Sequence, residues 1–395
     1  MTISTEMSEN RQRKASKYAK TRRALFFANS GLGLTALLLA LFSGFSLEIR
    51  KLLENWNNNQ WLVVLLYMIL MGGIYATLTF PLNVYSSLYL PRKYGLSHQT
   101  LGGWLIDVFK GAVIGGIIGL LLISLLYLGL RSLPEWWWLA GGIFYLFFVI
   151  VMSNLAPVII LPLFNKFIPL ENDELRERML RLADKTGARV KGIYTMDFSR
   201  RTSTSNAFVT GVGNTRRIVL GDTLTQHFTA DEIEVVMAHE LGHHVHGDIG
   251  RGIFFDATIT LAGLFIANLL LQNTLGVFGF RDVGDVASFP LLALVLMGFG
   301  LITNPVTNAY SRNREKAADY YALDITENVA SFITCMKKLA NQNLAEVNPP
   351  GWAIWLFYTH PPISERVRLG ENYARKQGLN PYPDAGYPQS ESGSN

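Results

Sequence analysis

Six stretches of the chain carry almost no charge over a length that would cross a bilayer: 24–47, 61–82, 111–130, 136–163, 253–278 and 289–306. A membrane-spanning helix needs about 20 apolar residues, and each run is near that length. Only the fifth is interrupted by a charge, Asp256. The first is 24 residues long, beyond the roughly 7–15 apolar residues of a signal-peptide core, so it reads as a true span. Composition agrees: charged residues make up 16% of the chain, against about 25% in soluble domains. The single cysteine, Cys335, excludes an internal disulfide and a thiolate metal cage.

The positive charges orient these spans. Arg11, Arg13, Lys14, Lys17, Lys20, Arg22 and Arg23 precede the first, and Arg92, Lys93 and Lys110 lie between the second and third. The loops on the other side hold only Arg50 and Lys51, then Arg131, then Arg281. Excess Lys and Arg stay in the cytoplasm, so the N-terminus is expected there, as are the segments after spans four and six. The predicted organisation is a basic N-terminus (1–23), four transmembrane helices (24–163), a cytoplasmic catalytic insert (164–252), two further helices (253–306), a cytoplasmic C-terminal part (307–378) and a disordered tail (379–395). The fold class expected is an all-α polytopic membrane protein with a cytoplasmic α+β insert.

Within the insert, Asp173–Lys185 has the pattern of an amphipathic helix. Residues 191–196, 206–210 and 216–220 are short strand candidates, the last two joined by hairpin-turn residues at 211–215. Residues 229–246 then read TADEIEVVMAHELGHHVH. Thr229 and Glu232 form a capping box, and Ile233, Val236, Met237 and Leu241 follow at helical spacing. His239 and His243 stand four apart and share a face, with Glu240 beside them. That is the zinc-hydrolase pattern: two histidines hold the metal and the glutamate handles a water's proton. Zinc proteases with such a helix commonly hold substrate as an added strand on a neighbouring sheet edge. The stretch Asn206, Ala207, Phe208, Val209, Thr210, Gly211 is a candidate for that edge, and a purely structural hairpin is the equal alternative.

Farther on, Glu315 and Asp319 stand four apart in 308–324. Alone they would be a solvated acidic pair. Beside two histidines they fit a third metal ligand, Glu315, and a carboxylate, Asp319, that orients a ligand histidine. His360 precedes Pro361 and Pro362, with Glu365 and Arg366 following.

The order HELGHH, then Ser311, Arg312, Glu315, Ala318 and Asp319, then His360-Pro-Pro with Glu365-Arg366, resembles the integral-membrane CaaX prenyl proteases of type 1. These are zinc metalloproteases of the gluzincin group. The likeness runs from about Trp61 to about Arg368. It implies a ring of helices around a water-filled chamber and one Zn²⁺ per chain. It also implies His360 stabilising the tetrahedral intermediate, Arg312 and Arg366 pairing with carboxylates near the metal, and 206–211 as the substrate strand. Eukaryotic members are described with seven spans, against six counted here. The expected partners are a peptide or protein substrate, possibly prenylated, and the lipid bilayer, with no nucleic acid. No endoplasmic-reticulum retrieval tail is recognised, so a bacterial plasma membrane is the expected setting.

The mechanism expected from these residues is metalloendopeptidase hydrolysis. His239, His243 and Glu315 hold the zinc, and Glu240 takes the water's proton and delivers it to the leaving amine. Two rivals stand beside prenyl processing: a quality-control protease with no prenyl requirement, and a silent membrane scaffold that keeps zinc for structure. Glu240 argues against the scaffold, because a structural site has no use for a base.

Overall fold

A computed structural model describes residues 9–211 and 216–382. Residues 212–215 of the expected hairpin turn and the expected disordered tail from 383 onward lie outside the described residues. Among the described residues, six helical segments are long and apolar enough to cross a membrane: Glu9–Phe42, Gln60–Lys93, Leu101–Ser132, Trp137–Phe164, Asp248–Phe278 and Val286–Thr326. Each contains most or all of one run expected from the sequence. The first uncharged run extends past its helix end, since the chain breaks at Gly44, whose φ of +74° is left-handed. A separate 12-residue helix, Phe45–Trp56, follows.

The chain divides into two compact units. The membrane unit comprises Lys20–Ile160 and Gly250–Pro305. Its core gathers Tyr67, Tyr127, Leu130, Trp137, Leu264 and Leu271, all buried. Burying a polar group is costly unless it is paired, and two pairs stand out: Trp137 Nε1 donates to Asn268 Oδ1 at 2.7 Å, and the buried Arg50 guanidinium meets Asp285. The outward residues are large and apolar, among them Phe109, Ile117, Phe147, Val277 and Ile302.

The catalytic unit comprises Met1–Ala19, Leu161–Ile249 and Val306–Asn395. It holds a four-stranded sheet in the order β1-β2-β4-β3, from β1 (Phe167–Pro169), β2 (Gly192–Met196), β3 (Ala207–Thr210) and β4 (Arg217–Gly221). β2 and β4 run parallel, and the two outer pairings are antiparallel. β1 has no counterpart among the expected strands: three residues ending in a proline carry too little pattern to read. The helix Asp173–Lys185 lies where its periodicity places it, capped by Asn172. It buries Leu175, Met179 and Leu182 in one core with Ile218 and Leu220 of β4, Ile233, Met237 and Leu241 of the motif helix, and Phe332 and Met336.

Candidate active site

The motif helix spans Ala230–Val245 and begins with both halves of the capping box. Thr229 N donates to Glu232 Oε2 at 2.8 Å, and Glu232 N to Thr229 Oγ1 at 3.3 Å. Lys338 adds a 2.7 Å ion pair to the same buried carboxylate. With its first turn fixed in this way, the helix presents His239 and His243 to one side.

Glu315 comes from the helix Phe289–Thr326. The two helices approach closely at Gly242, where a Cβ would lie 3.3 Å from Ala318 Cα and 3.1 Å from Tyr321 Cδ1. The glycine inside HELGH and the alanine before Asp319 thus set the separation across which Glu315 reaches the imidazoles. His239 Nε2 is 3.1 Å from Glu315 Oε2, and His243 Nε2 is 3.4 Å from Oε1. One donor atom from each of these three residues lies within 4.8 Å of the others. Glu315 Oε2 is buried yet receives no well-directed hydrogen bond. Two bare Nε2 atoms facing an under-bonded carboxylate form a donor set that fits a zinc ion.

Each histidine is oriented through its other nitrogen. His239 Nδ1 meets Asp319 Oδ1 at 2.9 Å, and Arg366 Nε holds Asp319 Oδ2 at 2.8 Å. His243 Nδ1 meets Asp248 Oδ2 at 2.9 Å, and Arg314 Nε holds Asp248 Oδ1 at 2.6 Å. The carboxylates fix the tautomers that leave both Nε2 atoms free. Asp248 and Arg314 were missed by sequence reasoning. A carboxylate one turn beyond the second histidine is the signal that could have revealed them.

Burial opposes charging of His239, but the neighbouring carboxylates of Asp319 and Glu315 outweigh that and raise its pKa to about 9 in the metal-free chain. Burial lifts the Glu240 carboxyl above its ordinary range. The Glu315 charge adds to this and the two imidazoles oppose it. Glu240 is engaged in no hydrogen bond or ion pair among the described residues.

His360 is more than half exposed, at 58%, with Nε2 3.3 Å from Glu315 Oε2. Arg366 lies beside a carboxylate, as the resemblance implies, but Arg312 does not. Its guanidinium donates to the carbonyls of Ile354 at 3.0 Å and Tyr358 at 2.7 Å. It is a brace for the turn leading to His360, because those carbonyls, at the end of a short helix, lie within its reach.

Of the expected substrate strand, Ala207–Thr210 is β3, at the sheet edge and packed on the motif helix. Asn206 stands just before it and Gly211 just after, with φ +89°. Gly221 N donates to Asn206 O at 2.9 Å. Paired residues alternate along an antiparallel ladder, so Val209 turns its N–H and C=O to the unpaired side. The Ala207 N–H, facing the same way, is taken by Asn206 Oδ1 at 2.9 Å.

Residues 169–372 match peptidase family M48. The chain belongs to this family. Residues 2–166 match a second description, the CAAX prenyl protease N-terminal region with five membrane helices. Four of the candidate spans fall in that stretch, along with the short helix Phe45–Trp56. An uncharacterized metalloprotease of Bacillus subtilis, YhfN, is 30% identical over 90% of this chain and 84% of its own length. CAAX prenyl protease 1 of Saccharomyces cerevisiae is 31% identical over 79% of this chain and 73% of its own. The crystal structure of S. mikatae Ste24p superimposes with a TM-score of 0.80 at 25% identity, covering 92% of this chain and 89% of that one. The protein is a polytopic membrane metalloendopeptidase, and the metal of its family is generally zinc.

Proposed function

We propose that this enzyme cuts near the C-terminus of prenylated, membrane-anchored proteins. It does so at one zinc ion held by His239, His243 and Glu315 on the cytoplasmic side of the membrane. The observation that carries the reading is the convergence on Glu315 of two Nε2 atoms from the motif helix, which packs against an edge strand of the sheet. The prenyl part is supported by relatives from yeast, plants and human that bear the name CAAX prenyl protease 1. The cytoplasmic side is supported by the Lys and Arg asymmetry of the loops.

When bound, zinc polarises the scissile carbonyl and acidifies a water molecule. The remaining work falls to side chains. Asp319 and Asp248 hold the two imidazoles in the tautomer that leaves Nε2 free. Glu240, its carboxyl raised by burial, accepts a proton from the attacking water and passes it to the leaving amine. His360, half exposed beside Glu315, donates from Nε2 to the carbonyl oxygen as charge develops there. Donors of this kind are worth about 3 kcal/mol. The peptide lies along β3 and exchanges backbone hydrogen bonds with Val209.

The test compares a farnesylated CaaX peptide with its unmodified twin, using detergent-purified protein and mass spectrometry. The proposal expects kcat/KM for the farnesylated peptide to be higher by at least about tenfold, the effect of burying part of an apolar chain. Equal rates would contradict it and favour general membrane proteolysis.

A further inference from the structure

Residues 341–347 tie together parts of the catalytic unit that are far apart in sequence. Asn343 pairs its side-chain amide with the backbone of Ser205. Its Oδ1 accepts from Ser205 N at 2.9 Å, and its Nδ2 donates to Ser205 O at 3.1 Å. Gln342 Nε2 donates to Ser203 O at 3.0 Å. Ser205 is buried and leads, two residues on, into β3. At the other end of the segment, Val347 O accepts from Ser364 N at 3.4 Å, and Glu346 Oε2 accepts from Tyr358 Oη at 3.4 Å. These two contacts bracket His360.

The segment is held in turn by the N-terminal helix. Arg11 Nε donates to Asn341 O at 2.6 Å, Val347 N to Gln12 Oε1 at 3.1 Å, and Ser16 Oγ to Glu346 Oε1 at 2.8 Å. Leu344, next to Asn343, has a φ of +50° although it is a buried leucine. That region is unfavourable for such a side chain. Strain of this kind persists only where the surroundings over-determine it, and here ties on both sides of Leu344 supply the constraint.

We propose that Asn343 is a positioning residue for the substrate: it fixes Ser205 and, through it, the placement of the β3 edge along which the peptide is laid. A primary amide suits the task, since one donor and one acceptor reproduce the pairing a neighbouring strand would offer. Asn343 is outside the set of metal-donor atoms, so its influence falls on binding of the extended peptide rather than on the metal. This inference rests on the edge-strand reading of β3 given above.

The experiment measures KM, kcat, metal content and melting temperature for full-length Asn343→Ala, Asn343→Asp and Val209→Pro. Asn343→Ala is expected to raise KM about tenfold, the equivalent of losing the hydrogen-bonded pair, with a smaller change in kcat and full metal content. Asn343→Asp keeps the acceptor for Ser205 N and loses the donor, so its KM falls between. Val209→Pro removes the outward N–H at an edge position that tolerates proline, and raises KM as well. A raised KM for Val209→Pro with an unchanged KM for Asn343→Ala overturns the role of Asn343 and leaves the edge strand standing. An unchanged KM for Val209→Pro overturns the edge-strand reading, and this inference with it. Loss of metal or fold in Asn343→Ala, with wild-type KM in Asn343→Asp, also overturns the positioning role.

Discussion

Each unit of the enzyme buries one arginine against one aspartate, and the two pairs lead to different things. In the membrane unit, Arg50 meets Asp285. The remaining capacity of that carboxylate is filled by backbone N–H groups, from Arg281 at 3.0 Å and Ala287 at 3.0 Å. The carboxylate side of this network is thereby closed, although Arg50 Nε, also buried, makes no hydrogen bond. In the catalytic unit, Arg366 meets Asp319, which passes on to His239 and so to Glu315. That network ends at an under-bonded carboxylate oxygen. Burying charge is costly in either place. A closed network yields only a fixed local structure, whereas an open one directs its field and its lone pairs at a ligand.

Asn replacements of the two aspartates should separate these roles. Asp285→Asn strands the Arg50 charge in a buried site, and the expected cost is about 3 kcal/mol of stability, read as a lower melting temperature. Metal affinity of the folded protein should be unchanged. Asp319→Asn should lower metal affinity by about 10–100-fold, read by titration with zinc. If Asp285→Asn weakened metal binding as much as Asp319→Asn, the distinction between closed and open networks would fail.

A further effect concerns protons. In the metal-free chain His239 holds a proton up to a pKa of about 9, and a metal ion needs the neutral ring. Uptake therefore releases that proton, and affinity should rise with pH, by about tenfold per unit from about pH 7 until it levels near 9. An affinity flat across that range would mean that His239 is already neutral.

The two units also differ in how far the sequence discloses them. Apolar runs announce the membrane helices because hydrocarbon imposes one requirement on every residue of a span. Only the details escape, such as the break at Gly44, which an uncharged run does not mark. In the catalytic unit, the pairing of His239 with His243 was legible because helical spacing converts directly into a shared face. Glu315 and Asp319, also four apart, were legible only beside the two histidines. Asp248 was not, since it follows the motif helix and its pairing depends on how the next helix begins. Arg312 stands three residues before Glu315, and the resemblance implied a carboxylate partner for it. Its long side chain reaches the carbonyls of Ile354 and Tyr358, which no local pattern encodes. The Asn343–Ser205 pair joins residues 138 apart, and only the folded chain brings them together.

The central claim is that Glu240 performs the proton transfers at a metal bound by its neighbours. The measurement that tests it most directly is elemental analysis beside peptide cleavage, for the wild-type protein and Glu240→Gln. The account predicts equal zinc, one ion per chain, in both proteins, with cleavage by the variant lower by about 10²–10⁴-fold. Near-normal cleavage by Glu240→Gln, or a wild-type protein that cuts without metal, would contradict it.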